Sequence, residues 1–170
     1  MTPPLRLAVL LLVLTPGLRA AEPMLKVVGL EKTVTFTAEE FAALPHTVLM
    51  VLEPHEKKER LYSGVVVHDL LAKGGVQSGE SFRGPAQHLG VLVRSKDNYT
   101  VLFSLAEFDE NFSTRTLFLA DREGGQPTPA NAEPLRLVVP GDKRAARWAR
   151  MVASIEIVAV GEDLTRPAKP

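Results

Sequence analysis

Proline, glycine and charged turns cut this sequence into short, valine-rich apolar runs that do not alternate regularly with helical segments. That spacing argues against a doubly wound parallel sheet. It predicts an α+β fold of mixed β-sheets with short helices. Residues 24–29, 34–36, 47–52, 116–120, 135–139 and 154–160 read as strands, and 57–62 pairs back on 47–52 across "EPHEK". The clearest hairpin lies in "HLGVLVRSKDNYTVLFS". There Lys96-Asp97-Asn98 joins two β-forming runs and puts Tyr99, Val101 and Phe103 on one face. Residues 122–134, rich in Gly, Pro, Ala and Asn, read as a long surface loop.

Two strand-to-helix turns follow one rule. In "FTAEEFAALP", Thr37 is placed as an N-cap and Glu40 completes a capping box. Phe36 and Phe41 are spaced for a hydrophobic staple, and Pro45 ends the helix. In "FSLAEFDEN", Ser104, Glu107 and the pair Phe103 and Phe108 repeat that grammar. A third helix is expected in "SGVVVHDLLAKGG", with Val67, Leu70 and Leu71 at helical spacing and Gly74 as its stop.

Residues 1–20 stand apart. Arg6 precedes the apolar run 7–14, Thr15-Pro16-Gly17 breaks it, and Ala20 and Ala21 follow. This is the layout of a secretory signal peptide cleaved near Ala20. The run is shorter than the roughly 20 apolar residues that cross a bilayer; an uncleaved N-terminal anchor is the alternative. The expected protein is exported, periplasmic or secreted, with one domain over residues 21–161 and a frayed tail over 162–170. The 20 basic and 20 acidic residues balance. Losing Arg6 and Arg19 leaves the remainder slightly acidic, so no nucleic-acid partner is expected. The chain has no cysteine. Its core must hold without disulfides, and thiolate catalysis, cysteine-bound zinc and iron–sulfur clusters are excluded.

Against that balance, "VVPGDKRAARWARMV" at residues 138–152 gathers Lys143, Arg144, Arg147 and Arg150 around Trp148, the one tryptophan. Pro140-Gly141 fits the centre of a type II turn. Asp142 is placed to cap a short helical turn through Ala145, Ala146 and Ala149. Lys143 and Arg144 would then lie in its first turn, where the helix dipole opposes cations and an anion would favour them. Arg144, Arg147 and Trp148 would share a face. Two readings stand: a pocket for something negative and flat with Trp148 as its wall, or a solvated basic surface with Trp148 in the core.

Other constellations are weaker. His46, His55, His68 and His88 form no H-x-H or H-x-x-x-H pattern, so no metal site is expected. Ser63-Gly64 and Ser104 lack the G-x-S-x-G elbow of a serine hydrolase. Asp69 adjoins His68, but neighbours on a helix do not face one target. Asn98-Tyr99-Thr100 and Asn111-Phe112-Ser113 are glycosylation sequons, relevant only in a eukaryotic secretory route.

Three segments, "YSGVVVHDLLAKGGV", "DNYTVLFSLAEF" and "PLRLVVPGDKRAARWARMVASIEI", resemble the oxidoreductase molybdopterin-binding domain of the sulfite oxidase family, in a small exported stand-alone form, over residues 28–158. The resemblance implies that family's fold, molybdopterin as cofactor, and pterin- and phosphate-holding basic residues after the "VPG" turn. Arg147 before Trp148 matches such a position directly, and Lys143 and Arg144 match approximately in a shorter turn. It also implies a molybdenum-ligating cysteine on the segment before the "GV…LL" helix. The corresponding stretch, residues 46–64, has none, and Val, Leu or Met cannot stand in for a thiolate. Glu53 and His55 are the alternative ligands there.

The leading expectation is a non-redox domain that binds an anionic or pterin-like ligand through Lys143, Arg144, Arg147 and Trp148. The alternatives are a module docking another exported or membrane protein, and an active molybdopterin oxidoreductase with atypical metal ligation.

Overall fold

The computed structural model describes residues 22–79 and 82–159. The expected leader at 1–20 and tail at 162–170 lie outside these residues. Among the described residues, ten strands and two short α-helices make one mixed and one antiparallel sheet around one core, an α+β architecture as expected. The first sheet runs β2-β1-β10-β5-β6 and the second β3-β4-β7-β8, with β9 also on β7.

β1 (Leu25–Val28) and β2 (Thr33–Phe36) form the opening hairpin, and α1 (Ala38–Ala42) follows. The capping box forms as expected. The Thr37 amide donates to Glu40 Oε2 at 2.8 Å, and the Glu40 amide donates to Thr37 Oγ1 at 3.2 Å. Phe36 and Phe41 are both buried.

β3 (Thr47–Glu53) and β4 (Lys58–Val66) pair in antiparallel register, Met50 opposite Leu61. β4 runs four residues past the expected end, so α2 (Val67–Lys73) starts later than the sequence suggested. The reason lies across the sheet. Gly64 lets β7 (Phe118–Glu123) approach so closely that a Cβ there would lie 2.0 Å from the Leu119 carbonyl oxygen. Backbone pairing with β7 therefore holds 63–66 extended.

The hairpin of β5 (Leu89–Ser95) and β6 (Thr100–Ser104) turns through Asn98 at φ 67°. Val101 and Phe103 point into the core, but Tyr99 does not join them. It precedes the strand, is about half exposed, and its hydroxyl donates to the Ala146 carbonyl at 2.6 Å. The second helix-cap expectation is also corrected. Residues Leu105–Phe108 make a single 3₁₀ turn, Ser104 Oγ accepts from the Ala106 amide, and Glu107 leaves the box to bind arginines. Its phenylalanine pair does form, Phe103 and Phe108 meeting edge-on at 5.4 Å.

The expected long loop at 122–134 is partly ordered as the end of β7 and β8 (Gln126–Pro127), which turn tightly at Gly124-Gly125. β9 (Arg136–Val138) packs on β7, and β10 (Val152–Ala159) inserts between β1 and β5, parallel to the former. Val27, Val91, Phe103 and Ile155 of the first sheet share one cluster with Val65, Phe118, Leu119 and Leu137 of the second.

Candidate functional site

The basic segment begins as its sequence suggests. Gly141 sits at φ 82°, and the Asp142 amide donates to Val139 O, closing the turn. The expected helical cap does not form. Arg144 is extended at φ −141°, ψ 146°, and only Ala145–Arg147 makes a 3₁₀ turn. Asp142 has been drawn away by stronger, charge-assisted partners. It accepts from Arg147 Nε at 2.9 Å and Nη2 at 2.6 Å, and from Arg115 Nη1 at 3.1 Å. Glu107 completes the group, accepting from Arg147 Nη1 at 3.0 Å and Arg115 Nη2 at 2.7 Å.

Two arginines and two carboxylates thus share one knot. The Arg147 guanidinium also lies 4.9 Å above the Phe103 ring. Hydrogen bonding to Asp142, followed by the bonds and charge of Glu107, raises the Arg147 pKa above its already high ordinary value, against the opposing effect of burial.

The four residues of the expected site therefore separate. Lys143 and Arg144 are exposed and carry no ion pair among the described residues. Arg147 is committed to carboxylates. Trp148 is only 3 % exposed, donates from Nε1 to Val139 O at 3.0 Å, and meets Tyr62 edge-on. Of the two readings of the tryptophan, the core reading is realised. The shared face fails because a single 3₁₀ turn replaces the α-helix on which positions three and four apart would align.

Sequence reasoning missed what Trp148 packs against. Arg136 is 6 % exposed and its guanidinium lies 5.2 Å from the Trp148 ring and 5.7 Å from that of Tyr62. It donates to Glu53 Oε1 at 3.2 Å and lies 3.5 Å from Glu123 Oε2, and Glu123 is bonded in turn by Arg60. A charged residue amid "PLRLVV" was the available signal.

The second missed feature is a cleft of about 540 Å³ between the first turn of α2 and the segment entering β7. His68 and Asp69 line it with Glu110, Arg115 and Thr116, and Val66, Phe108 and Leu117 supply apolar wall. His68 and Asp69, adjacent at the start of α2, both border this cleft, and each also borders a second one, His68 beside Leu71 and Phe82 and Asp69 beside Leu44 and Ala72. Arg115 ties this cleft to the basic segment through Glu107 and Asp142. Below it, Asp109 is buried; burial pushes its pKa up, but bonds from the Gly79 amide and from the Asn111 amide and side chain outweigh it, leaving the carboxyl below its ordinary range.

The donor set does not fit a molybdenum centre. The hairpin of β3 and β4, where the resemblance places the thiolate ligand, presents Val48, Met50, Leu52 and Leu61 outward. Glu53 is spent on Arg136 and on the Glu56 amide, and His55 is exposed in the turn that follows β3. Among the described residues no three His, Asp or Glu side chains converge to hold a metal.

This architecture is a sulfite-oxidase-like fold. The chain is similar to the solved structure of the sulfane dehydrogenase SoxCD from Paracoccus pantotrophus, at TM-score 0.62 and 22% identity, over 81% of this chain. It spans only 39% of that longer chain. No protein-family model and no curated protein matches the sequence.

Proposed function

We propose that this domain is an exported, non-redox binding protein that takes a small, flat, anionic ligand of the pterin class in the cleft beside α2. The observation that carries this reading is Arg115. It forms part of the cleft wall, is about one-third exposed, and is held in place by Glu107 and Asp142, which Arg147 grips from the other side. An arginine has five N–H donors. Arg115 spends two on carboxylates, so others remain for a ligand.

The remainder of the cleft suits a heterocycle with donor and acceptor edges. Asp69 and Glu110 would accept from ring amino groups, Thr116 would supply a hydroxyl, and Phe108 and Leu117 would pack on the ring. Lys143 and Arg144, unpaired beyond the Gly141 turn, would meet the ligand's negative group, and Arg147 acts as a positioning residue. Trp148 supports the site from the core. The absence of a thiolate and the apolar outer face of the β3–β4 hairpin support a role without metal chemistry.

Calorimetric titration with 6-carboxypterin, and separately with inorganic phosphate, tests this. We expect 6-carboxypterin to bind, Arg115→Ala to weaken it at least about tenfold, the loss of one charge-assisted contact of roughly 1.5–3 kcal/mol, and Leu102→Ala to leave it unchanged. Absence of binding, or indifference to Arg115→Ala, refutes the assignment.

A further inference from the structure

β3 is the outer strand of its sheet, and among the described residues it pairs with β4 alone. Its inward side chains Val51 and Glu53 are buried. Its outward ones, Val48, Met50 and Leu52, are 57%, 58% and 56% exposed. Leu61, directly across from Met50 on β4, widens the stripe at 40% exposure. Natural edge strands are protected by lysine, proline, a bulge or a covering element. Residues 47–52 contain no charge and no proline, and the β3–β4 register is unbroken.

We infer that this edge is the interface of a homodimer in which β3 pairs antiparallel with β3 of a second copy about a two-fold axis at Met50. The strand is self-complementary in that register. Val48 of each copy faces Leu52 of the other, Met50 faces Met50, and the stripe continues unbroken across both sheets. Charge agrees with the same register. The Lys58 corner lies beside Glu53 at the end of the β3–β4 pair, level with the uncharged Thr47 of the other copy. No like charges are opposed along the paired strands themselves. A stable dimer buries about 800 Å² per copy. One seven-residue strand and four half-exposed apolar side chains supply part of this. The dimer is therefore reversible and concentration-dependent.

The absence of native cysteine makes the test clean. Directly opposed residues of antiparallel strands have Cα atoms about 4.5–5.5 Å apart, within disulfide reach. Under mild oxidation Met50→Cys should cross-link to itself, and an equimolar mixture of Val48→Cys and Leu52→Cys should give the mixed dimer. Leu102→Cys, exposed on the edge strand β6 of the other sheet, is the control and should remain monomeric.

Sedimentation of the unmodified protein between about 1 μM and 1 mM should show a monomer–dimer equilibrium. Met50→Lys should weaken it at least about tenfold and Leu102→Lys should not. A monomer throughout that range, a dimer indifferent to Met50→Lys, or cross-linking at Met50→Cys no faster than at Leu102→Cys overturns the inference. So does a monomer that instead takes a different protein on β3.

Discussion

Tyr62 brings a hydroxyl into the core and leaves it without a hydrogen-bond partner among the described residues, while its ring packs between Trp148 and the Arg136 guanidinium. Burial, more than the nearby carboxylates Glu123 and Glu53, pushes its pKa up to about 12. The folded state therefore favours the neutral phenol. The associated stability is whole below pH about 10, the unfolded value, and is lost as pH rises toward 12. An unpaired buried hydroxyl contributes nothing to folding, so Tyr62→Phe should leave stability at pH 7 unchanged or raise it by up to about 1 kcal/mol. It should also flatten the alkaline loss. Urea unfolding of both forms between pH 7 and 12 checks this, and a variant weakened by more than about 1 kcal/mol at pH 7 would show that the hydroxyl is bonded. None of this was legible in sequence. The Arg147-Trp148 pair drew attention for its composition, yet its two side chains diverge, one to surface carboxylates and one to a core cation. Which partner a charge finds depends on residues far along the chain, as Glu53 and Arg136 show.

Local grammar was decisive where local partners could obey it. Thr37 and Glu40 cap α1 because, among the described residues, no cation pairs with Glu40, whereas the same pattern at Ser104 and Glu107 is overridden by Arg115 and Arg147. The strand runs were readable for the same reason, since valine-rich segments between turn residues have few other solutions. Contacts between elements were not readable. Gly29 follows β1 and Gly74 follows α2, and the two backbones touch: a Cβ on Gly29 would lie 2.1 Å from the Gly74 carbonyl oxygen. That oxygen also accepts from the Glu31 and Lys32 amides, so it cannot retreat without losing both bonds. Gly74 stops α2 as expected; its φ is −85°, and its smallness serves this crossing. Gly29→Ala should accordingly cost about 1–3 kcal/mol, as overpacking does, and lower the midpoint of thermal unfolding. Gly124→Ala should be milder because nothing lies within 4 Å of a Cβ there, though its φ of 60° adds backbone strain.

At the scale of the whole molecule, composition and strand count pointed to α+β, but the sheet order did not follow from them, because pairing across the chain leaves no periodic trace. The key pairing is β1 with β10, Lys26 beside Ser154 in parallel register, with β10 also pairing Val91 and Val93 of β5. β10 is thus the only described strand joining the opening hairpin to the rest of its sheet. A chain ended at Arg150 should lose its cooperative unfolding transition rather than shift it, read by circular dichroism across a urea titration. A sharp transition in that fragment would mean the opening hairpin is held by its contacts with α2 alone. The arrangement also sets when folding can happen. A ribosome delivers β1 long before its parallel neighbour, so the first sheet of the nascent polypeptide stays open until β10 has emerged. Closure then waits on a contact of high sequence separation, which is slow. Throughout that interval a chaperone would meet an unclosed sheet rather than a finished domain.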